Sequence, residues 1–166
     1  MPELSLITVM FLVYVITQRF GEFFLSHSNT KRLRAKETLE CGQLLYPYLL
    51  CLQLTWLLTL VLAGHIEAIN LYWLVCFFVL QIFHFWIMII LGERWTTRLF
   101  IFDSPLAESG PFKFFKYPHY ILRILDTFVV PMVLGLWQLG LIFSTLLAIL
   151  LFIRTKEEKK VLAHLS

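Results

Sequence analysis

Charge is scarce in this chain. Asp, Glu, Lys and Arg together make up 15% of its 166 residues, against 59% hydrophobic, a balance that a soluble domain of this length does not usually carry. The modest net charge of +3 is a topological signal and not a nucleic-acid footprint, because its basic residues lie where lipid headgroups would meet them, and no nucleic-acid partner is expected. Cysteine is nearly missing as well. Cys41, Cys51 and Cys76 are odd in number, have no metal-ligand spacing, and two of them lie in apolar runs, so they suggest neither a disulfide framework nor a zinc site and read as free thiols. No P-loop, zinc motif or serine triad is present, and the GxxxG-like spacings are too weak to use. There is no internal repeat and no low-complexity segment. The first apolar run lacks the basic region and the small-residue cleavage pattern of a signal peptide and continues into "TQRFGEFF", so it reads as a retained helix.

What fills the chain instead is hydrocarbon. Three apolar runs, 4–24, 44–63 and 69–91, each approach the ~20 residues that cross a bilayer as a helix. A fourth, 121–153, is broken by Pro131 and "GLWQLG" and reads as two helices in a tight hairpin, tilted or only just able to reach the far surface. The expected fold is therefore an all-α integral membrane protein, a single domain over 1–166 with five transmembrane helices. The basic residues gather at 31–36, 94–116 and 154–160, whereas "AGHIEAIN" and the hairpin tip have none. By the positive-inside rule the N-terminus faces out, and the long segment 92–119 and the C-terminus face the cytoplasm. Segments of that length without an evident element tend to be functional.

Ionisable groups at membrane depth are costly and therefore informative. Arg123 and Asp126 share a helix face within pairing distance, as a structural ion pair or as part of a site. His84, with Gln81 a turn away, either makes an interhelical hydrogen bond or lines a polar cavity; Thr55 and Thr59 read as helix contacts. In "GPFKFFKYPHY" (110–120) the proline disfavours helix at Tyr117 and can open one at Pro118. The N–H groups of that helix start suit an anionic group, and the tyrosine rings suit a flat heterocycle. The same residues could equally be an interfacial anchor. In the tail "RTKEEKKVL", Arg154 and Glu158 lie four apart on one face, as a solvated helix end or as part of a site.

Taken in order, "QRFGEFFLSHSNTK", "ECGQLLYP", "LGERWTTR", "GPFKFFKYPHY" and "RTKEEKKVL" resemble the isoprenylcysteine carboxyl methyltransferase family, and within it the small bacterial branch. The resemblance covers most of the chain. It implies S-adenosylmethionine bound at the cytoplasmic end of a helical membrane fold, in a bacterial inner membrane, and methyl transfer to a carboxylate, enol or phenol oxygen of a lipid-like acceptor such as an alkylpyrone, a resorcinol or a prenylated cysteine. No metal is implied. Gly110, Phe112, Pro118 and Tyr120 match cofactor-side positions, with Lys116 and Tyr117 beside them. Arg154 and Glu158 match the pair near the reacting end, Glu158 also suiting the sulfonium. His84, Arg123 and Asp126 are the expected acceptor-side residues.

Five positions depart from the family pattern. Lys116-Tyr117 replaces Arg-His, Leu45 stands for a histidine, Leu122 for a glycine and His84 for an arginine. Two other readings accompany the resemblance. One is a non-catalytic lipid-binding or scaffold protein on the same fold, and the other is an NADPH-dependent membrane reductase with a related C-terminal pattern.

Overall fold

Inside hydrocarbon every backbone N–H and C=O must find its partner within the chain, so long apolar runs have to close into helices. The computed structural model describes residues 6–36, 38, 40, 41, 43–64, 68–100 and 117–165. Among them are five α-helices: α1 (Leu6–Ala35), α2 (Leu45–Gly64), α3 (Leu71–Leu91), α4 (Pro118–Val133) and α5 (Trp137–Leu165). Two-residue strands β1 (Glu40–Cys41) and β2 (Leu99–Phe100) pair antiparallel, Glu40 opposite Phe100; nothing in the hydrophobic pattern foretold this ribbon. Four of the helices, all but α4, are long and apolar enough to cross a membrane.

The helix ends follow local chemistry. Asn70 caps α3, its side-chain oxygen accepting from the backbone N–H groups of Tyr72 and Trp73 at 3.1 and 3.4 Å. Gly92, at φ +50, ends it and leads into a 3-10 turn over Gly92–Arg94. Pro118 opens α4 as its first residue, as the sequence indicates. α4 and α5 form a hairpin whose turn needs Gly135 at φ +71. The break lies just beyond Pro131, which α4 tolerates in its last turn. At ~1.5 Å per residue the 16 residues of α4 fall short of the ~30 Å hydrocarbon layer, the shortfall expected for this hairpin. α1 overshoots its apolar run by three turns, carrying Arg32 and Arg34 into its last turn where they complement the helix dipole.

Packing separates an inside from a lipid-facing outside. On α2 only Leu49, Trp56, Leu60 and Gly64 are buried, while Leu54, Leu58 and Leu62 are exposed. An apolar outer surface of that extent suits lipid and not water. Val15, Leu60, Phe77, Val130, Val133 and Leu134 meet in a dry core with almost no exposure. Gly140 lets α5 approach α4 closely, since a Cβ there would stand 2.9 Å from the carbonyl oxygen of Phe128. Thr55 and Thr59 do not hydrogen-bond across helices. Their hydroxyls bond back to the carbonyls of Cys51 and Thr55 on their own helix, the usual refuge of a threonine facing lipid. Cys51 and Cys76 are free thiols.

Candidate functional site

The last turns of α1 carry a polar stripe. Glu22, Ser26 and Asn29, at helical spacing, are 5%, 2% and 4% exposed, and two of them grip the segment that follows α3. Asn29 donates to the carbonyls of Gly92 and Trp95 at 3.2 and 2.9 Å, and the Ser26 hydroxyl accepts from the Thr97 N–H at 2.8 Å. Arg98 is fixed from the other side: it donates to Glu40 at 2.6 Å, and its guanidinium lies 4.1 Å from the Tyr46 ring centroid. Burial alone would raise the Glu40 carboxyl, but hydrogen bonds from Arg98 and Arg34 win and hold it below the usual carboxylate range. Residues 92–98 thus become a fixed wall.

Against that wall lies a cleft that gathers the start of α4 and the end of α5. Its lining includes Trp95, Tyr117, His119, Tyr120, Arg154 and Glu158, together with Arg94, Arg98 and Arg123. The rings of Tyr117 and Tyr120 stack 5.4 Å apart at 11°. Arg154, 5% exposed, donates to the Thr97 carbonyl at 2.8 Å and lies 5.6 Å from the Tyr120 ring centroid. Burial, and then the neighbouring Glu158 carboxylate, push the Tyr117 hydroxyl well above its ordinary pKa, so it stays protonated as a donor. Five of the residues singled out from sequence therefore share one cleft: Tyr117, Tyr120, Arg123, Arg154 and Glu158. Pro118 is buried at the helix start beside them. Gly110, Phe112 and Lys116 lie outside the described residues.

A second cavity lies between α1, α2 and α5. Arg19, Glu22 and Gln53 give it a polar end, and Phe23, Leu49, Leu50, Leu147 and Leu151 give it apolar walls. Thr97 and Arg123 line both cavities.

Behind Arg123 the expected pairing changes. Arg123 and Asp126 do not take each other as salt-bridge partners. Asp126 receives Arg19 from α1 and Gln81 from α3, the latter at 3.2 Å, whereas Arg123 lies 3.6 Å from Glu22. Glu22 is also contacted by Arg19 and Gln18, each at 3.0 Å, and His84 Nε2 lies 3.0 Å from it. Neither His84 nor Asp126 lines the two cavities. Both serve the interhelical network, because charges buried in low dielectric settle on whichever opposite charge the packed helices bring closest.

Two residues were missed in the sequence. His119 supplies an imidazole to the cleft, two positions beyond the Tyr117 that stands for the family's histidine, with its ring centroid 4.2 Å from that of Tyr120. The signal was its place in the first turn after Pro118. Glu22 was legible only as part of the Glu22, Ser26, Asn29 spacing. Leu122, in place of the family's glycine, fills space against Leu91 and Trp95, which themselves line the cleft.

The chain is 27% identical over 160 residues to YpbQ of Bacillus subtilis (strain 168), an uncharacterized protein, with 92% of this chain and 94% of that one covered. No solved structure matches. Residues 73–164, which span nearly all of α3, the wall, α4 and nearly all of α5, match the Isoprenylcysteine carboxyl methyltransferase (ICMT) family, and the chain belongs to that family.

Proposed function

We propose that this protein is a membrane-embedded O-methyltransferase that takes its methyl group from S-adenosylmethionine and delivers it to an acidic oxygen of a lipid-like acceptor. The observation that carries this reading is the junction of the two cavities, one polar and aromatic, the other apolar-walled, with Arg123 and Thr97 common to both. A polar donor and an oily acceptor can meet there without either leaving the medium that suits it.

The donor set fits S-adenosylmethionine. Glu158 offers a carboxylate to a sulfonium, and Tyr117 and Tyr120 offer faces to a heterocycle. The cations of the cleft and the N-terminus of α4 suit an amino-acid carboxylate, and Gly110, Phe112 and Lys116 are assigned to the lip of the same site. His119 Nδ1 and Arg154 Nε are sealed from water with no hydrogen-bond partner among the described residues, a cost that a bound ligand can offset. When bound, S-adenosylmethionine supplies a methyl group on a positively charged sulfur and leaves as a neutral thioether. The chain's own residues align and shield. Arg154, locked by Thr97 and Tyr120, positions the acceptor oxyanion, Arg123 meets it from the apolar side, and Leu49, Leu50, Leu147 and Leu151 keep water from the tail. Alignment of this kind is worth about 7–11 kcal/mol at best. An acceptor that arrives ionised needs no strong base.

The reading includes a topology of five spans, with the N-terminus outside and the cleft facing the cytoplasm of a bacterial inner membrane. Cysteine-accessibility labelling is expected to find Ser28 and Ser166 on the cytoplasmic side and Glu67 outside; any other pattern sinks it. The activity itself is tested by incubating purified protein with labelled S-adenosylmethionine and a lipid extract of its own host. Label in a base-labile ester indicates a carboxyl acceptor and label in a stable ether an enol or phenol. No label above that of an Arg154→Ala control favours the non-catalytic reading.

A further inference from the structure

Arg123 is an unusual arginine. It lies largely inside the helical body, its Nε is sealed from water without a partner, and none of its donors makes a hydrogen bond to the described residues. Among the described residues its salt-bridge partner is Glu22, 3.6 Å away on α1, with Asp126 a more distant opposite charge. Two other guanidiniums bear on the same region: Arg19, which divides itself between Glu22 and Asp126, and Arg154 across the cleft. A guanidinium so placed, repelled by two like charges and carried on a flexible stem, would swing toward the headgroups unless an opposite charge held it.

Glu22 is built to be that charge. Its Oε1 is taken by Gln18, with His84 Nε2 also 3.0 Å away, and its Oε2 lies 3.0 Å from Arg19 and 3.6 Å from Arg123. With three neighbours on α1 and α3 fixing it, the carboxylate is rigid, and its reach to Arg123 is long enough to orient the guanidinium without using up its donors. We propose that Glu22 is a positioning residue for the acceptor. It keeps Arg123 at the junction of the two cavities and leaves the arginine's other N–H groups for an ionised, planar oxyanion on the lipid-like acceptor. This rests on the methyl-transfer reading and adds what selects the acceptor: a delocalised anion that a fork of donors can take in two places, and not a neutral alcohol.

The test measures transfer of labelled methyl while the amount of host lipid extract is varied, with S-adenosylmethionine binding followed separately by calorimetry. Glu22→Gln keeps the shape and removes the charge. It is expected to raise the half-saturating amount of extract about tenfold, to leave S-adenosylmethionine affinity unchanged, and to add little to the loss already caused by Arg123→Gln. An unchanged half-saturating amount, or losses from the two substitutions that multiply, overturns the proposal. Should Glu22→Gln fail to fold, Glu22→Asp retains the charge but retracts it. It is expected to raise the half-saturating amount in the same direction, and wild-type behaviour of that variant also overturns the proposal. If the wild-type protein neither binds S-adenosylmethionine nor transfers label, the methyltransferase reading falls, and this proposal with it.

Discussion

The two ends of α4 are built by different rules. At its last turn and cap the side chains of Val130, Val133 and Leu134 have no exposed surface and pack among apolar groups such as Leu60 and Phe77. In its first three turns Tyr117, His119, Tyr120, Arg123 and Asp126 face other charged and aromatic groups. The dry end is non-directional packing, whose value follows contact and volume. At the polar end each group depends on a specific partner, and losing one leaves another unpaired in low dielectric. Stability concentrates at the first and chemistry at the second.

Substitutions should therefore sort by end. The largest effect is expected at the polar end. Arg154→Ala should lower methyl transfer by about a hundredfold or more while the protein still folds, read as label transferred against a thermal-unfolding control. Next come Tyr117→Ala and Glu158→Ala, each expected to weaken S-adenosylmethionine binding about tenfold by calorimetry; unchanged affinity in both would discard the cleft as its site. Tyr117→His sharpens the same comparison. A gain in activity marks the departure from the family as a handicap, and a loss means that Tyr117 and His119 have together taken over the position.

At the dry end Gly140→Ala should lower stability by about 1 kcal/mol or more, because its methyl would press on the Phe128 carbonyl. Activity per folded molecule should stay as it was. The smallest effect belongs to Glu40. Its carboxyl is depressed in the folded protein, so its contribution is present above the unfolded value of about 4.3 and is lost as pH falls through the folded one. Glu40→Gln should therefore lower the melting temperature slightly at neutral pH and leave it unchanged at strongly acid pH, which flattens the acid side of the profile.

Residues show how far the sequence could be read. Leu45–Gly64 folds as a helix within one residue of its apolar run, and Pro118 opens α4. Both are local matters, one of hydropathy and one of a ring that lacks an N–H. Arg154 and Glu158 reach one cleft because their i, i+4 spacing is intrahelical. The same spacing argument, applied to Arg123 and Asp126, put them within pairing distance but could not name the partners that compete for each.

Composition alone therefore decided that this chain lives in lipid and where most of its helices run, since a helix in hydrocarbon satisfies its own backbone. Tertiary structure decided which charges meet. Asp126 bonds to Arg19 and Gln81, Glu22 gathers four polar neighbours from three helices, and Thr97 is held by Ser26. These partners are far apart in sequence, and the pairing of buried charges depends on distances that exist only once the helices have packed.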